Sequence, residues 1–197
     1  MIRLTCRRLV LAIATVASAC AARPNIPDRA TGLLRDAPEG EAALLLVSGD
    51  RVLTAAVPIG RSALPPPVRV AIDAVAPDGD ETFCGLEWGT RGPGYRIEKR
   101  YVQDGVEDVR STLIREDGVV LERAHSLAIG DVPKEILAAA MQVGPDVRRV
   151  MIVSGPEQEE YWHCEVGDRI GRTYRVRVGL NGRIVEVRRR VLATVEI

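Results

Sequence analysis

The chain states one segment twice. Residues 64–78 read LPPPVRVAIDAVAPD and residues 132–146 read VPKEILAAAMQVGPD. A shift of 68 positions lays Pro65 on Pro133, Ala71 on Ala139, Val75 on Val143, Pro77 on Pro145 and Asp78 on Asp146. A tandem copy constrains a fold strongly, because each copy builds the same supersecondary unit. Both copies are helical by period. Val68, Ala71, Ile72 and Val75 follow the i, i+3, i+4, i+7 rule, and so do Ile136, Ala139, Ala140 and Val143. Pro65 and Pro133 sit where a first turn tolerates a missing N–H, and Asp131 is placed to cap the second helix. Pro77 and Pro145 stop the helices, because proline disfavours helical geometry in the preceding residue. A helix this short is marginal alone and must bury its apolar stripe.

The stretch after each helix alternates with period two. The clearest instance is TYRVRVGLNGRIVEVRRRVL, residues 173–192, where Asn181-Gly182 predicts a two-residue hairpin loop. That register faces Val178 with Val185, Arg177 with Glu186, Val176 with Val187 and Arg175 with Arg188. In the first copy the counterpart runs from Leu113 through Asp117-Gly118 to Glu122, with room for a bulge or a three-residue loop. Strands are also predicted at Glu81–Trp88, Tyr95–Val102, Arg148–Ser154 and Tyr161–Val166. The expected fold is α+β. Two tandem repeats (61–128 and 129–197) each carry one helix packed on a roughly four-stranded antiparallel sheet, with the other sheet face open. A β-hairpin within 41–60 precedes them and extends the sheet.

The first residues belong to export rather than to the fold. Arg3, Arg7 and Arg8, the short apolar run Leu9 to Val16 and the small residues ending at Ala19 mark a signal peptide over 1–19. Small residues just before Cys20 resemble a bacterial lipobox, which implies lipidation of Cys20 and a membrane attachment through that lipid. Ala21 after it favours the outer membrane, facing the periplasm. An ordinary signal cut after Ala19 or Ala22 is the alternative. Residues 20–40, with Pro24, Pro27 and Pro38, read as a flexible tether.

Equal numbers of acids and bases, 27 each, argue against a bulk nucleic-acid binder. The charge is uneven, however. Asp73 to Thr90 holds five acids and no base, whereas Tyr161 to the end holds eight arginines and four acids. Cys84 and Cys164 are the cysteines of the body; an exported chain permits a disulfide between them, and two buried thiols are the other reading. His163 and Cys164 are strand neighbours whose side chains point to opposite faces, which defeats a dyad. No catalytic motif, metal-ligand spacing or cofactor-binding pattern occurs. The unusual surface is the charged face of the last hairpin, because Arg175 opposite Arg188 sets like charges face to face. Arg175, Arg177, Arg188 and Arg190, with Trp88 and Trp162 as aromatic anchors, form the candidate binding surface.

A proline-led short helix, a Pro-Asp exit and a meander ending in Tyr-x-Val-x-Val, Asn-Gly or Asp-Gly and an apolar strand resembles the PepSY-like and β-lactamase-inhibitor-like modules over residues 61–197. The resemblance implies a non-catalytic envelope protein that inhibits, chaperones or senses a protein partner, with no cofactor. The expectation is therefore a lipoprotein that binds another envelope protein through its open sheet face. The alternative is a module that binds a small molecule or metal in the cleft between the repeats.

Overall fold

The computed structural model describes residues 42–75, 79–89, 91–103, 106–156 and 158–194. The expected signal peptide, the tether, Cys20, Pro77 and Asp78 lie outside them.

Ten antiparallel strands close into one barrel. β1 (Ala42–Ser48) and β2 (Arg51–Pro58) form the first hairpin. Helix α1 (Pro66–Val75) follows, then β3 (Asp80–Gly89), β4 (Gly92–Gln103), β5 (Val106–Ile114) and β6 (Val120–Leu127). Helix α2 (Lys134–Met141) leads into β7 (Asp146–Gly155), β8 (Gln158–Gly167), β9 (Thr173–Gly179) and β10 (Ile184–Thr194). Each helix is preceded by a short 3-10 turn, Arg61–Ala63 or Ile129–Asp131. Asp131 thus ends that turn, and the residue at the N-cap of α2 is Pro133, with no side-chain cap.

The expected α+β fold with two open-faced units is overturned by this closure. β6 pairs with β7, from Arg123 opposite Ser154 to Leu127 opposite Val150. β1 pairs with β10, from Ala42 opposite Thr194 to Val47 opposite Arg189, and β2 pairs with β3. The first hairpin therefore bridges the two ends of the sheet instead of lengthening it, and no edge is left unpaired. The face expected to be open has become a lumen.

Both helices lie outside the barrel and bury the stripes that their period predicts. Val68 and Ile72 of α1 pack with Leu64, Cys84, Ile97 and Ile114. Ile136, Ala139 and Ala140 of α2 pack with Val150, Trp162, Cys164, Val166, Val176 and Val178. Fully burying an aliphatic side chain of this size contributes about 1.5–3 kcal/mol, which offsets the marginal stability of so short a helix. A third cluster, Ala43, Leu45, Val47, Val52, Ala55 and Val57 with Leu86, Trp88, Val191 and Ala193, knits the closing hairpin to its neighbours.

The two matching hairpins are built alike, and neither has a two-residue loop. Gly118 donates to the Arg115 carbonyl and Arg115 to the Val119 carbonyl; Gly182 donates to Gly179 and Gly179 to the Arg183 carbonyl. Each loop is three residues long and ends on a glycine of positive φ, +89° at Gly118 and +74° at Gly182. Val178 therefore faces Ile184 rather than Val185. Val185 bulges out, and the expected register resumes at Arg177–Glu186, Val176–Val187 and Arg175–Arg188. Leu121 bulges at the same place in the first hairpin, between Ile114–Val120 and Leu113–Glu122.

Candidate functional site

Alternation along the strands sends one set of side chains under the helices and the other set into the lumen. Two chambers that share lining residues occupy that lumen. The larger, about 560 Å³, lies at the end of the barrel where α1 and α2 connect their strands. Leu44, Ala56, Phe83, Val109 and Leu192 give it apolar surface, and Arg100, Arg149, Arg175 and Arg190 give it cations. The smaller, about 140 Å³, lies toward the hairpin turns and is lined by Arg175, Arg177, Arg188, His163, Tyr161 and Glu122 among others. Glu87, Arg96 and Arg175 line both chambers and mark the waist between them. The lining comes from strands around the whole circumference and from neither helix, which identifies the space as the lumen.

The charges inside are organised around two arginines. Arg96 on β4 donates to Glu87 on β3 at 2.9 Å and to Glu122 on β6 at 2.8 Å. Tyr161 on β8 adds its hydroxyl to Glu122 at 3.1 Å. Arg149 on β7 donates to Glu165 on β8 at 2.9 Å and reaches Glu98 on β4 at 3.5 Å. Arg190 also donates to Glu165, at 3.1 Å, while Arg188 pairs with Glu186 at 2.7 Å and donates to Thr54 across the β10–β1–β2 seam. Burial of Glu122 works to raise its carboxyl, but the Arg96 guanidinium outweighs it and holds Glu122 at about 2. Burial and the Glu122 charge push Tyr161 up to about 12. Burial, reinforced by Arg175, holds His163 well below the usual histidine range.

Two arginines stand apart. Among the described residues, Arg175 and Arg177 make no ion pair and no side-chain hydrogen bond, because Arg96 and Arg149 each take two glutamates. Arg177 instead lays its guanidinium over the Tyr161 ring, 3.9 Å from the centroid. The Nε–H groups of Arg177 and Arg188 are buried without a partner. Burial, then the nearby Arg96, lowers the pKa of Arg175. Val109, Ala124, Met151, Val153 and Tyr161 form an apolar cluster.

The sequence-predicted arginines thus come together, but they point into the lumen. Trp88 and Trp162 do not join them: Trp88 packs in the closing-hairpin cluster, and Trp162, 7% exposed, packs beneath α2. Cys84 and Cys164 are free, buried thiols in separate clusters under α1 and α2, and burial pushes each up to about 11. Sequence reasoning missed Arg96, Glu87, Glu122, Arg149 and Glu165, which arrive from scattered strands. Their signal was a charge between apolar neighbours within a strand, such as Arg96 between Tyr95 and Ile97. Among the described residues no group of three or more histidine, cysteine, aspartate or glutamate side chains could hold a metal. A separate groove of about 520 Å³ lies outside β5 and β6, beside Ala74 of α1, with Arg110, Arg123 and His125 on its floor. There Arg110 is tied to Asp108 at 3.0 Å and stacks on Tyr101 at 4.6 Å.

No protein-family model matches the sequence, and a search of curated proteins gives no match. Among solved structures the chain is similar to a presumed periplasmic protein of Bacteroides eggerthii, with 15% identity and a TM-score of 0.48 over 64% of this chain and 88% of that one. It is similar to a DUF2874 family protein of Bacteroides uniformis, with 18% identity and a TM-score of 0.46 over the same shares. It is also similar to a BLIP-like protein of Bacteroides fragilis, with 16% identity and a TM-score of 0.40 over 68% of this chain and 89% of that one.

Proposed function

We propose that this chain is a non-catalytic, exported envelope protein that binds an anionic ligand in its barrel lumen, held near the membrane by a lipid on Cys20. The carrying observation is the chamber of about 560 Å³, which combines an apolar rim with five arginines (96, 100, 149, 175 and 190) against three glutamates (87, 98 and 107), Arg175 having no ion pair among the described residues. Its size falls in the range of small-molecule sites, and its lining suits a ligand with an apolar body and an acidic head. The acid–base state of the lumen supports binding over catalysis. Glu122 at about 2 and Tyr161 at about 12 are far from the values a proton-transfer group needs near neutrality.

The test is titration of the full-length protein with the fluorescent dye anilinonaphthalene sulfonate. The reading expects saturable binding, one dye per chain, that dodecanoate displaces and that Ala56→Trp or Leu44→Trp blocks by plugging the chamber. Binding that ignores both plugs would sink the reading. A protein partner has its own supporting feature, the outer groove with Arg110, Arg123 and His125, which suits an acidic segment. Capture of an envelope protein that Arg123→Glu abolishes and the two plugs leave intact is the expected result for that reading.

A further inference from the structure

The two matching hairpins present equivalent positions to the lumen, and the residues that stand there differ. In β5–β6 they are Ser111, Leu113, Glu122, Ala124 and Ser126. In β9–β10, 64 residues later at every position, they are Arg175, Arg177, Glu186, Arg188 and Arg190. The backbone, the three-residue loop and the bulge are the same, so the fold at these positions is satisfied by serine, leucine and alanine. Four arginines are not needed to build the hairpin, and like charges face to face slightly destabilise one.

Two of those four arginines are also left without an ion pair among the described residues. Arg96, Arg149, Arg188 and Arg190 pair with Glu87, Glu98, Glu122, Glu165 and Glu186, which leaves Arg175 and Arg177 with no ion pair among the described residues. Both line the small chamber, together with the partnerless Nε–H groups of Arg177 and Arg188. A buried cation or donor without a partner costs free energy that a bound anion recovers. The chamber of about 140 Å³ is roomy for water, at about 30 Å³ each, and fits one compact oxyanion.

Resting on the ligand-binding reading above, we infer that this small chamber is an oxyanion site, in which Arg175 and Arg177, flanked by Arg188 and His163, hold the carboxylate or phosphate head of the ligand. The guanidinium fork suits both chemistries, because each offers two coplanar acceptors. Arg175 lines both chambers and so stands where head and body of one ligand join.

The experiment follows thermal unfolding of the full-length protein with increasing sodium phosphate or sodium acetate, at ionic strength matched by chloride. The expected result is a saturable rise in the unfolding midpoint with at least one of the two anions, and the stronger one names the head group. Arg177→Leu and Arg175→Ser install the residues of the first hairpin. Each is expected to weaken the anion at least about tenfold, the loss of one charge-assisted contact. Each is also expected to leave the anion-free protein about as stable as before, since neither half-buried arginine makes an ion pair among the described residues. Arg183→Ala, at an exposed arginine next to the loop of the same hairpin, should leave the response intact. No saturable response in the wild type, or an equal response in the two variants, overturns the inference. Ala56→Trp and Leu44→Trp separate the two claims: they should block the dye and spare the phosphate or acetate response. A lost anion response with dye binding intact and plug-sensitive defeats the oxyanion site alone.

Discussion

Glu122 on β6 and Glu186 on β10 occupy the same place in two hairpins of the same geometry, yet their surroundings are opposite. Glu122 is locked by Arg96 at 2.8 Å and by Tyr161 at 3.1 Å, with its side chain 8% exposed. Among the described residues Glu186 has only Arg188, on its own strand at 2.7 Å, and its side chain is 30% exposed. The first hairpin spends its charge on closing the barrel across strands. The second carries two arginines, Arg175 and Arg177, that make no ion pair among the described residues. The lesson is that repetition specifies the scaffold, and the departures from repetition specify where a ligand would be held.

The comparison can be broken most directly by Glu122→Ala against Glu186→Ala. Removing one partner of a buried ion pair leaves a stranded charge and costs about 3–5 kcal/mol, whereas the half-buried Glu186–Arg188 pair, confined to one strand, should cost clearly less. Urea unfolding at neutral pH should separate the two variants by that difference, and similar losses would mean that the two hairpins do not differ as described. The outer faces, by contrast, should behave alike. Ile72→Ala in α1 and Ile136→Ala in α2 both empty a fully buried site, and each should lose about 2–5 kcal/mol. A loss confined to one of them would show that only one helix braces the barrel.

Acidification sharpens the same contrast. The Glu122 carboxyl is depressed from 4.5 to about 2, so its contribution is complete above 4.5 and is lost as the pH falls from there through about 2. The loss is about 3 kcal/mol or slightly more, by linkage. His163 adds an earlier phase. Its folded value lies below 6.5, the unfolded chain takes up a proton first, and stability declines as pH drops below 6.5. His163→Asn should flatten that early phase and leave the later one, which Glu122→Gln removes. A flat profile between pH 6.5 and 2 would contradict both assignments. The smallest effects belong to the loops. Gly118→Ala and Gly182→Ala each force a side chain into positive φ, at a cost of about 1–2 kcal/mol. Gly118 should suffer more, because a Cβ there meets the Pro67 carbonyl oxygen at 3.0 Å and its counterpart at Gly182 meets only the Glu135 side chain, at 3.3 Å.

Much of the fold was legible locally. The two helices and the cores of most strands follow from period and punctuation, and Arg175 opposite Arg188 stands out as an oddity in the sequence alone; β5 (Val106–Ile114) and β6 (Val120–Leu127) reach well beyond the Leu113–Glu122 hairpin that the sequence suggests. Closure was not legible. Alternation reports one apolar and one polar face, and a polar face reads the same whether it meets solvent or the far wall of a barrel. The partner of β10 is β1, nearly the whole chain away, and no local signal ties them. Asn181-Gly182 suits a two-residue loop and a three-residue loop alike, so the bulge at Val185 could not be read. The central ion-pair set was hidden for the same reason as closure, since Arg96, Glu122 and Tyr161 meet only once the strands are ordered.

The central claim, that the arginine half of a closed lumen is the place that holds a ligand, can be seen directly by crystallography on selenate-soaked crystals. The account predicts an anomalous selenium peak inside the barrel, within hydrogen-bond distance of Arg175 and Arg177, that disappears in Arg177→Leu. Selenium confined to the outer groove at Arg110 and Arg123, or a gap between β1 and β10 that opens the lumen to solvent, would contradict it.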